Sequence, residues 1–181
     1  IRTPELSVAL LDEWENKIER LAEVTAEENV TSLAGVPTWT LILLKRILEI
    51  KGKSTIKEVW PNLELYINGG VSFVPYKDQF DKIIGGKINY LEIYNASEGF
   101  IAGQQSPDDD GLLLFTEHGI FYEFMPVEEY GNENPKTVGL NHVQVGKNYA
   151  LIISTTGGLW RYLIGDTIQF TKLNPYHIKV S

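Results

Sequence analysis

The sequence of 181 residues predicts an α/β fold with N-terminal helices, a partial parallel sheet and a β-rich, barrel-like lobe. Within residues 1–98, helical patterns precede a strand–helix–strand unit with short links, which is typical of a parallel sheet. From residue 99 onward, short apolar runs separated by turn residues replace the helices. We therefore divide the chain into a helical and parallel α/β portion, residues 1–98, and a β-rich lobe, residues 99–181.

The composition and charge narrow the classes of partner. A net charge of −8 argues against nucleic acid, whose protein partners usually carry basic surfaces. No window reaches the roughly 18 uninterrupted apolar residues of a membrane span, so we expect no membrane partner. The chain has no cysteine, which excludes disulfides and fits a cytoplasmic protein.

The N-terminal portion is expected to be helical. Apolar residues recur at helical spacing from Pro4 to Glu23, which predicts one amphipathic helix. Thr25 precedes two glutamates and is a candidate cap for the start of a second helix. Pro37 is expected to open a well-buried helix over Thr38–Ile50, which Gly52 ends.

A strand–helix–strand unit follows these helices. The pattern predicts a strand at Leu63–Ile67, a helix at Pro75–Ile84 and a second strand at Ile88–Tyr94. Ligands of parallel sheets usually bind beyond the carboxyl ends of the strands. Gly69-Gly70 and the segment Tyr94–Glu98 fall at such ends.

The β-rich lobe is expected to be largely antiparallel. Glu117-His118-Gly119 between two apolar runs predicts a hairpin of Leu112–Phe115 with Ile120–Phe124. The segment Tyr130–Asn141 is polar and is expected to be a loop. The remaining predicted strands are Tyr149–Ser154, Trp160–Tyr162, Thr167–Lys172 and Tyr176–Val180.

Two short stretches suggest nucleotide chemistry. In the run from Gly157 to Asp166, an apolar stretch suited to a buried strand ends in Gly-Asp, and a carboxylate at a strand end can accept hydrogen bonds from a ribose diol. In Tyr94–Glu98, the aromatic ring could lie against a purine, the Ser97 hydroxyl could donate to a phosphate, and the Glu98 carboxylate could bind Mg²⁺. The alternatives are a plain turn at Asp166 and a plain strand end at Tyr94.

Together the two stretches resemble the adenylate-forming superfamily, which includes firefly luciferase and the acyl-CoA synthetases. The sequence is closer to one branch, the auxin-responsive (Gretchen Hagen) acyl-acid amido synthetase family and its bacterial relatives. The resemblance extends over most of the chain from Leu63 to Ser181. It is carried by Gly69-Gly70, Tyr94–Phe100, Phe121–Phe124 and the run from Val143 to Asp166.

The resemblance implies the central part of the large domain of an adenylate-forming enzyme. Such an enzyme uses ATP and Mg²⁺ to adenylate a carboxylic acid, and then joins the acyl group to an amino acid. By resemblance, Tyr94 packs on adenine, Ser97 meets the α-phosphate and Asp166 binds the ribose, with Ser97 and Glu98 in catalytic roles. The implied nucleotide contacts are Gly70, Tyr94, Asn95, Ser97 and Asp166, and the implied metal ligand is Glu98.

Other functions stay open, because the chain departs from the family pattern. Ala96 stands where plant members often carry a hydroxyl, and no Ser/Thr/Gly-rich phosphate loop precedes the predicted sheet. The small C-terminal domain that supplies a catalytic lysine is also missing, so we expect the middle of a longer enzyme, inactive by itself. The alternatives are an acyl-CoA synthetase and a non-catalytic nucleotide-binding or scaffold module.

Overall fold

The computed structural model describes residues 3–109 and 111–180. The chain divides into two compact units, residues 1–91 and 92–181. This division follows Leu91, whereas the sequence analysis places it after Glu98. None of the helices in the described residues has the length and apolarity needed to cross a lipid bilayer.

The described residues form four α-helices, all in the first unit, and nine strands. The helices are α1 (Leu6–Ala9), α2 (Trp14–Thr25), α3 (Pro37–Lys51) and α4 (Lys77–Ile84). The strands are β1 (Ser32–Gly35), β2 (Leu65–Gly69), β3 (Asn89–Ala96), β4 (Gly99–Gly103), β5 (Leu112–Leu114), β6 (Ile120–Pro126), β7 (Asn148–Thr155), β8 (Tyr162–Leu173) and β9 (Tyr176–Val180).

The first predicted helix is divided in the structure. It forms α1 and α2 rather than one helix over Pro4–Glu23, and no residue of α1 is buried. Thr25 ends α2 instead of starting a new helix, so that part of the prediction is wrong. Its hydroxyl donates to the carbonyl of Leu21 at 2.7 Å, one helical turn back, and is therefore not available as an N-cap.

The structure confirms the prediction that Pro37 begins the third helix and Gly52 ends it. Pro37 is the first residue of α3, where its missing N–H costs nothing. Gly52 closes the helix with a left-handed backbone, φ 59°. Leu41, Leu44 and Ile47 repeat at helical spacing and are buried in the core of the first unit.

The first unit contains a parallel pair, although one of its two strands lies outside the predicted strand–helix–strand unit. β1 and β2 are parallel, with Ser32 opposite Leu65 and Gly35 opposite Asn68. α4 follows β2, and the chain then enters β3, where the backbone N–H of Asn89 donates to the carbonyl of Glu64 at 2.8 Å. β1 is a strand that the sequence analysis did not identify.

The second unit is β-rich, as predicted, and its sheet is open rather than closed. The strand order is β3-β4-β5-β9-β8-β7-β6, with antiparallel neighbours. β9 therefore lies between β5 and β8, with Ile178 opposite both Leu112 and Phe170. The predicted hairpin of β5 with β6 is wrong, because the described residues of β5 pair with β4 and β9 while β6 pairs with β7.

A single strand, β8, stands in place of the two predicted strands Trp160–Tyr162 and Thr167–Lys172. β8 runs without interruption from Tyr162 to Leu173 and includes the residues between the predicted strands. Trp160 lies outside it and is 81% exposed, so the expected buried strand around this residue is wrong. The apolar run continues to Tyr162 and Leu163, which are also exposed.

Candidate functional site

The segment Tyr94–Glu98 lies at the carboxyl end of β3. β3 ends at Ala96, Ser97 and Glu98 form a two-residue turn, and Gly99 opposite Ala96 begins β4. Ser97 is exposed at this turn and Glu98 is half-buried. The plain strand end that the sequence left as the alternative for Tyr94 is thus part of one tight hairpin.

Asp166 lies in the interior of β8, at a bulge. Thr167 is opposite Ala150 and Leu163 is opposite Ile152, so three residues of β8 face the single residue between those two in β7. The strand end predicted for Asp166 is therefore wrong, and so is the alternative of a turn. Gly165 has φ 102°, a conformation that L-residues rarely adopt, and this allows the extra residues to leave the regular ladder.

The two predicted stretches meet through Tyr94 and Asp166. The hydroxyl of Tyr94 donates to Oδ2 of Asp166 at 2.5 Å, although 72 positions separate the two residues. The Tyr94 side chain is 8% exposed and belongs to the hydrophobic core of the second unit. The contact therefore joins a buried phenol to a half-buried carboxylate at the edge of that core.

The electrostatics keep this phenol protonated. Burial raises the pKa of Tyr94 above its ordinary range, and the hydrogen bond to Asp166 and the charges of Asp166 and Glu98 raise it further. Tyr94 is therefore a hydrogen-bond donor at physiological pH.

The other predicted residues do not share this contact. Asn95 is exposed on β3, next to a register shift between Tyr94 and Asn95. Gly70 belongs to the first unit, where it follows β2 with φ 82°. A side chain there would have a Cβ 3.3 Å from Val36, so both the conformation and the space favour glycine.

Arg161 belongs to the run from Gly157 to Asp166 but pairs elsewhere in the second unit. Its Nε donates to Glu123 at 2.9 Å, and the hydroxyl of Thr137 donates to the same carboxylate at 2.8 Å. Burial raises the pKa of Glu123, but these hydrogen bonds and the charge of Arg161 outweigh it, and the net pKa is lowered. Arg161 also has φ 46°, a backbone conformation uncommon outside glycine, and its N–H donates to the hydroxyl of Ser154.

Asn68, in the first unit, is a candidate site residue that the sequence patterns did not indicate. Its side chain is 1% exposed, and Nδ2 donates to the carbonyl of Leu91 at 3.1 Å. Oδ1 is buried without a hydrogen-bond partner among the described residues. An amide inside an otherwise apolar strand, directly before Gly69-Gly70, is the feature of the sequence that could have pointed to it.

A metal ion at this site would need coordinating atoms from a bound substrate in addition to those of the protein. In residues 3–109 and 111–180, no group of three or more His, Cys, Asp and Glu side chains is placed to hold a metal ion. One carboxylate nevertheless fits Mg²⁺, which proteins often bind through one or two carboxylates together with substrate phosphates. Cavities of about 320 and 460 Å³ lie elsewhere in the second unit and are lined by neither Glu98 nor Asp166.

The sequence is similar to curated plant enzymes over about two thirds of its length. It is 29% identical over 123 residues to the indole-3-acetic acid-amido synthetase GH3.3 of Arabidopsis thaliana, covering 64% of this chain and 20% of that protein. It is 28% identical over 136 residues to the jasmonoyl–L-amino acid synthetase GH3.5 of Oryza sativa subsp. japonica, covering 66% of this chain and 23% of that protein. The chain thus spans about a fifth to a quarter of the length of these relatives.

Solved structures share the fold. The GH3.15 acyl acid amido synthetase matches 99% of this chain and 41% of its own, with a TM-score of 0.74 at 15% identity. A 2-hydroxyisobutyryl-CoA ligase, solved with 2-HIB-AMP and CoA, matches 91% of this chain and 34% of its own, with a TM-score of 0.64 at 13% identity. The fold is therefore that of adenylate-forming enzymes.

Family models account for most of the chain. The model of the GH3 family N-terminal domain matches residues 1–88, and that of the GH3 family central domain matches residues 113–180. The two matches follow each other in the order that their descriptions imply. This chain belongs to the GH3 family.

Proposed function

We propose that this chain forms part of the ATP site of an acyl-acid amido synthetase, an enzyme that adenylates a carboxylic acid and joins the acyl group to an amino acid. The observation that carries the proposal is the contact of Tyr94 with Asp166, which unites the two stretches suggested for nucleotide binding. Relatives named as amido synthetases support the substrate classes. The lack of cysteine supports a cytoplasmic location.

The proposed reaction has two balanced steps. A carboxylate oxygen of the acid attacks the α-phosphorus of ATP, and pyrophosphate leaves. The amino group of the amino acid then attacks the acyl carbon, an amide forms with loss of a proton, and AMP leaves. The protein contributes orientation and charge neutralisation, which can lower a barrier without a covalent enzyme intermediate.

Each residue of the site has a role that fits its place. Asp166 accepts hydrogen bonds from the ribose hydroxyls, and the ring of Tyr94 packs on adenine. Ser97, exposed at the hairpin turn, donates to an α-phosphate oxygen, and the adjacent Glu98 carboxylate holds Mg²⁺. The metal supplies charge neutralisation of the phosphates. Asn95 and Gly70 complete the proposed nucleotide contacts.

An acyl-CoA synthetase is a second candidate, because a CoA ligase has the same fold. The first step is identical, and only the nucleophile of the second step differs. A third candidate is a nucleotide-binding module without chemistry. Product analysis after adenylation separates these candidates: an amide with an amino acid supports the first, a thioester with CoA supports the second, and neither product supports the third.

The binding part of the proposal can be tested on the 181-residue chain. We expect isothermal titration calorimetry to detect binding of AMP to the chain. Asp166→Asn should reduce the affinity for AMP, and Asp108→Asn should retain it. Asp108 is an exposed carboxylate in the same unit, so the control makes the same change of charge outside the site. The reaction is tested in the longer protein that contains this chain, by ATP–pyrophosphate exchange with a panel of carboxylic acids. Exchange that persists undiminished in Asp166→Asn would contradict the assignment.

A further inference from the structure

Building on the proposed ATP site, we infer that Tyr94 is a positioning residue that orients the Asp166 carboxylate for the ribose diol. Its hydroxyl holds Oδ2 of Asp166 at 2.5 Å. The second oxygen, Oδ1, is then left to accept hydrogen bonds from the ribose. The family resemblance implies packing of the Tyr94 ring on adenine, whereas this role belongs to the hydroxyl.

The backbone around Asp166 makes such a support necessary. Asp166 lies at the bulge of β8, where three residues face one of β7, so the regular ladder does not fix its direction. Among residues 3–109 and 111–180, Tyr94 is the hydrogen-bond partner found for its carboxylate. A carboxylate that rotates freely loses more conformational entropy when it binds a vicinal diol than a carboxylate whose orientation is already fixed.

The position of Tyr94 suits it to this task. The side chain is 8% exposed and is packed in the core of the second unit with Ile101 and Tyr122 in the same cluster. The ring is therefore immobile and its hydroxyl has a defined place. The polar end of Tyr94 is the part that contacts Asp166.

Tyr94→Phe separates the two roles, because it keeps the aromatic ring and removes only the hydroxyl. The readout is the preference of the 181-residue chain for AMP over 2′,3′-dideoxy-AMP, which lacks the diol, measured by calorimetry. We expect the unmodified chain to prefer AMP by about tenfold or more, as hydrogen bonds to a charged group predict. Tyr94→Phe should reduce this preference to about twofold while the affinity for the dideoxy analogue stays the same.

Tyr122→Phe is the matched control. Tyr122 is a buried tyrosine of the same core, and its hydroxyl donates to the carbonyl of Phe115 at 3.1 Å rather than to Asp166. It should leave the preference for AMP unchanged. Circular dichroism and the melting temperature of both variants establish that they are folded.

The outcomes distinguish this inference from the proposed function. If Asp166→Asn removes the preference for AMP and Tyr94→Phe keeps it, the positioning role is wrong and the ATP site stands. If Tyr94→Phe weakens AMP and the dideoxy analogue equally, the hydroxyl has only a structural role and the inference is again wrong. If the unmodified chain shows no preference for the diol, both the proposed ribose contact and the positioning role are overturned.

Discussion

Gly165→Ala tests whether the bulge of β8 depends on glycine. A Cβ at Gly165 would meet no atom within 4 Å, so the substitution causes no clash. The backbone conformation remains unfavourable, because φ is 102°. Such a conformation costs a non-glycine residue about 1–3 kcal/mol, partly offset by about 0.4–1 kcal/mol from the less flexible unfolded chain. We expect a net loss of about 1–2 kcal/mol in the free energy of unfolding.

Urea-induced unfolding measures this loss. Amide signals of β7 and β8 in NMR spectra report the second unit by itself. With a urea dependence of about 2 kcal/mol per molar, the midpoint should fall by roughly 0.5–1 M. Gly157→Ala is the matched control, because Gly157 lies in the same part of the chain without a positive φ, and its added Cβ would have an ordinary contact of 3.6 Å with Thr155. It should keep or raise the midpoint.

Equal midpoints for Gly165→Ala and the unmodified chain would refute the reasoning, since they would mean that an L-residue fits the bulge without strain. A loss of similar size in Gly157→Ala would also refute it, because the effect would then not depend on φ. If the bulge also directs Asp166, Gly165→Ala should weaken AMP binding even under conditions in which the variant is fully folded. Unchanged binding would limit the bulge to a structural role.

The remaining predictions concern charge and core packing. In the longer protein, Asp166→Ala should weaken ATP binding by about tenfold or more, whereas Glu98→Ala should lower turnover and change its Mg²⁺ dependence; unaltered kinetics would contradict both roles. The pKa of Glu123 is lower in the folded chain than in the unfolded chain, where it is about 4.3. The ionised carboxylate therefore stabilises the fold fully above that pH, and this stabilisation is lost as the pH falls through the pKa of the folded chain. The urea midpoint should therefore fall less between pH 6 and pH 3 in Glu123→Gln than in the unmodified chain, and equal falls would contradict this. Trp60 is 1% exposed and its Nε1 donates to a carbonyl of α2, so Trp60→Phe should cost about 1–3 kcal/mol in urea unfolding. Trp160→Phe, at a site that is 81% exposed, is the control and should cost less than about 0.5 kcal/mol.

Local chemistry made part of the fold predictable. Pro37 and Gly52 limit α3 because their backbone preferences act within one helical turn. The break between α1 and α2 was not predictable from spacing, because the apolar residues continue across it and the structure leaves α1 without a buried residue. Helical periodicity indicates which residues share one face of a helix. Whether that face is buried depends on the packing of the rest of the chain against it.

Non-local pairing explains what the sequence could not reveal about the site. β5 and β6 are neighbours in sequence with a turn between them, yet β5 pairs with β9, because strand pairing depends on the whole sheet. Gly165-Asp166 has the composition of a turn but occupies a bulge that only the register of β7 discloses. The resemblance assigned Tyr94 and Asp166 to one nucleotide, but their direct hydrogen bond required the coordinates.

The place of β9 has a consequence for the order of assembly during synthesis. Tyr94 lies on β3, on one side of β9, and Asp166 lies on β8, on the other side. β9 begins at Tyr176, directly after β8 ends at Leu173, so the strand that joins the two halves leaves the ribosome after the other eight strands. Until then, β5 presents an open edge, which is the kind of surface that pairs with other chains. The nucleotide site should therefore be among the last features to form, and a chaperone that covers open edges would act in that interval.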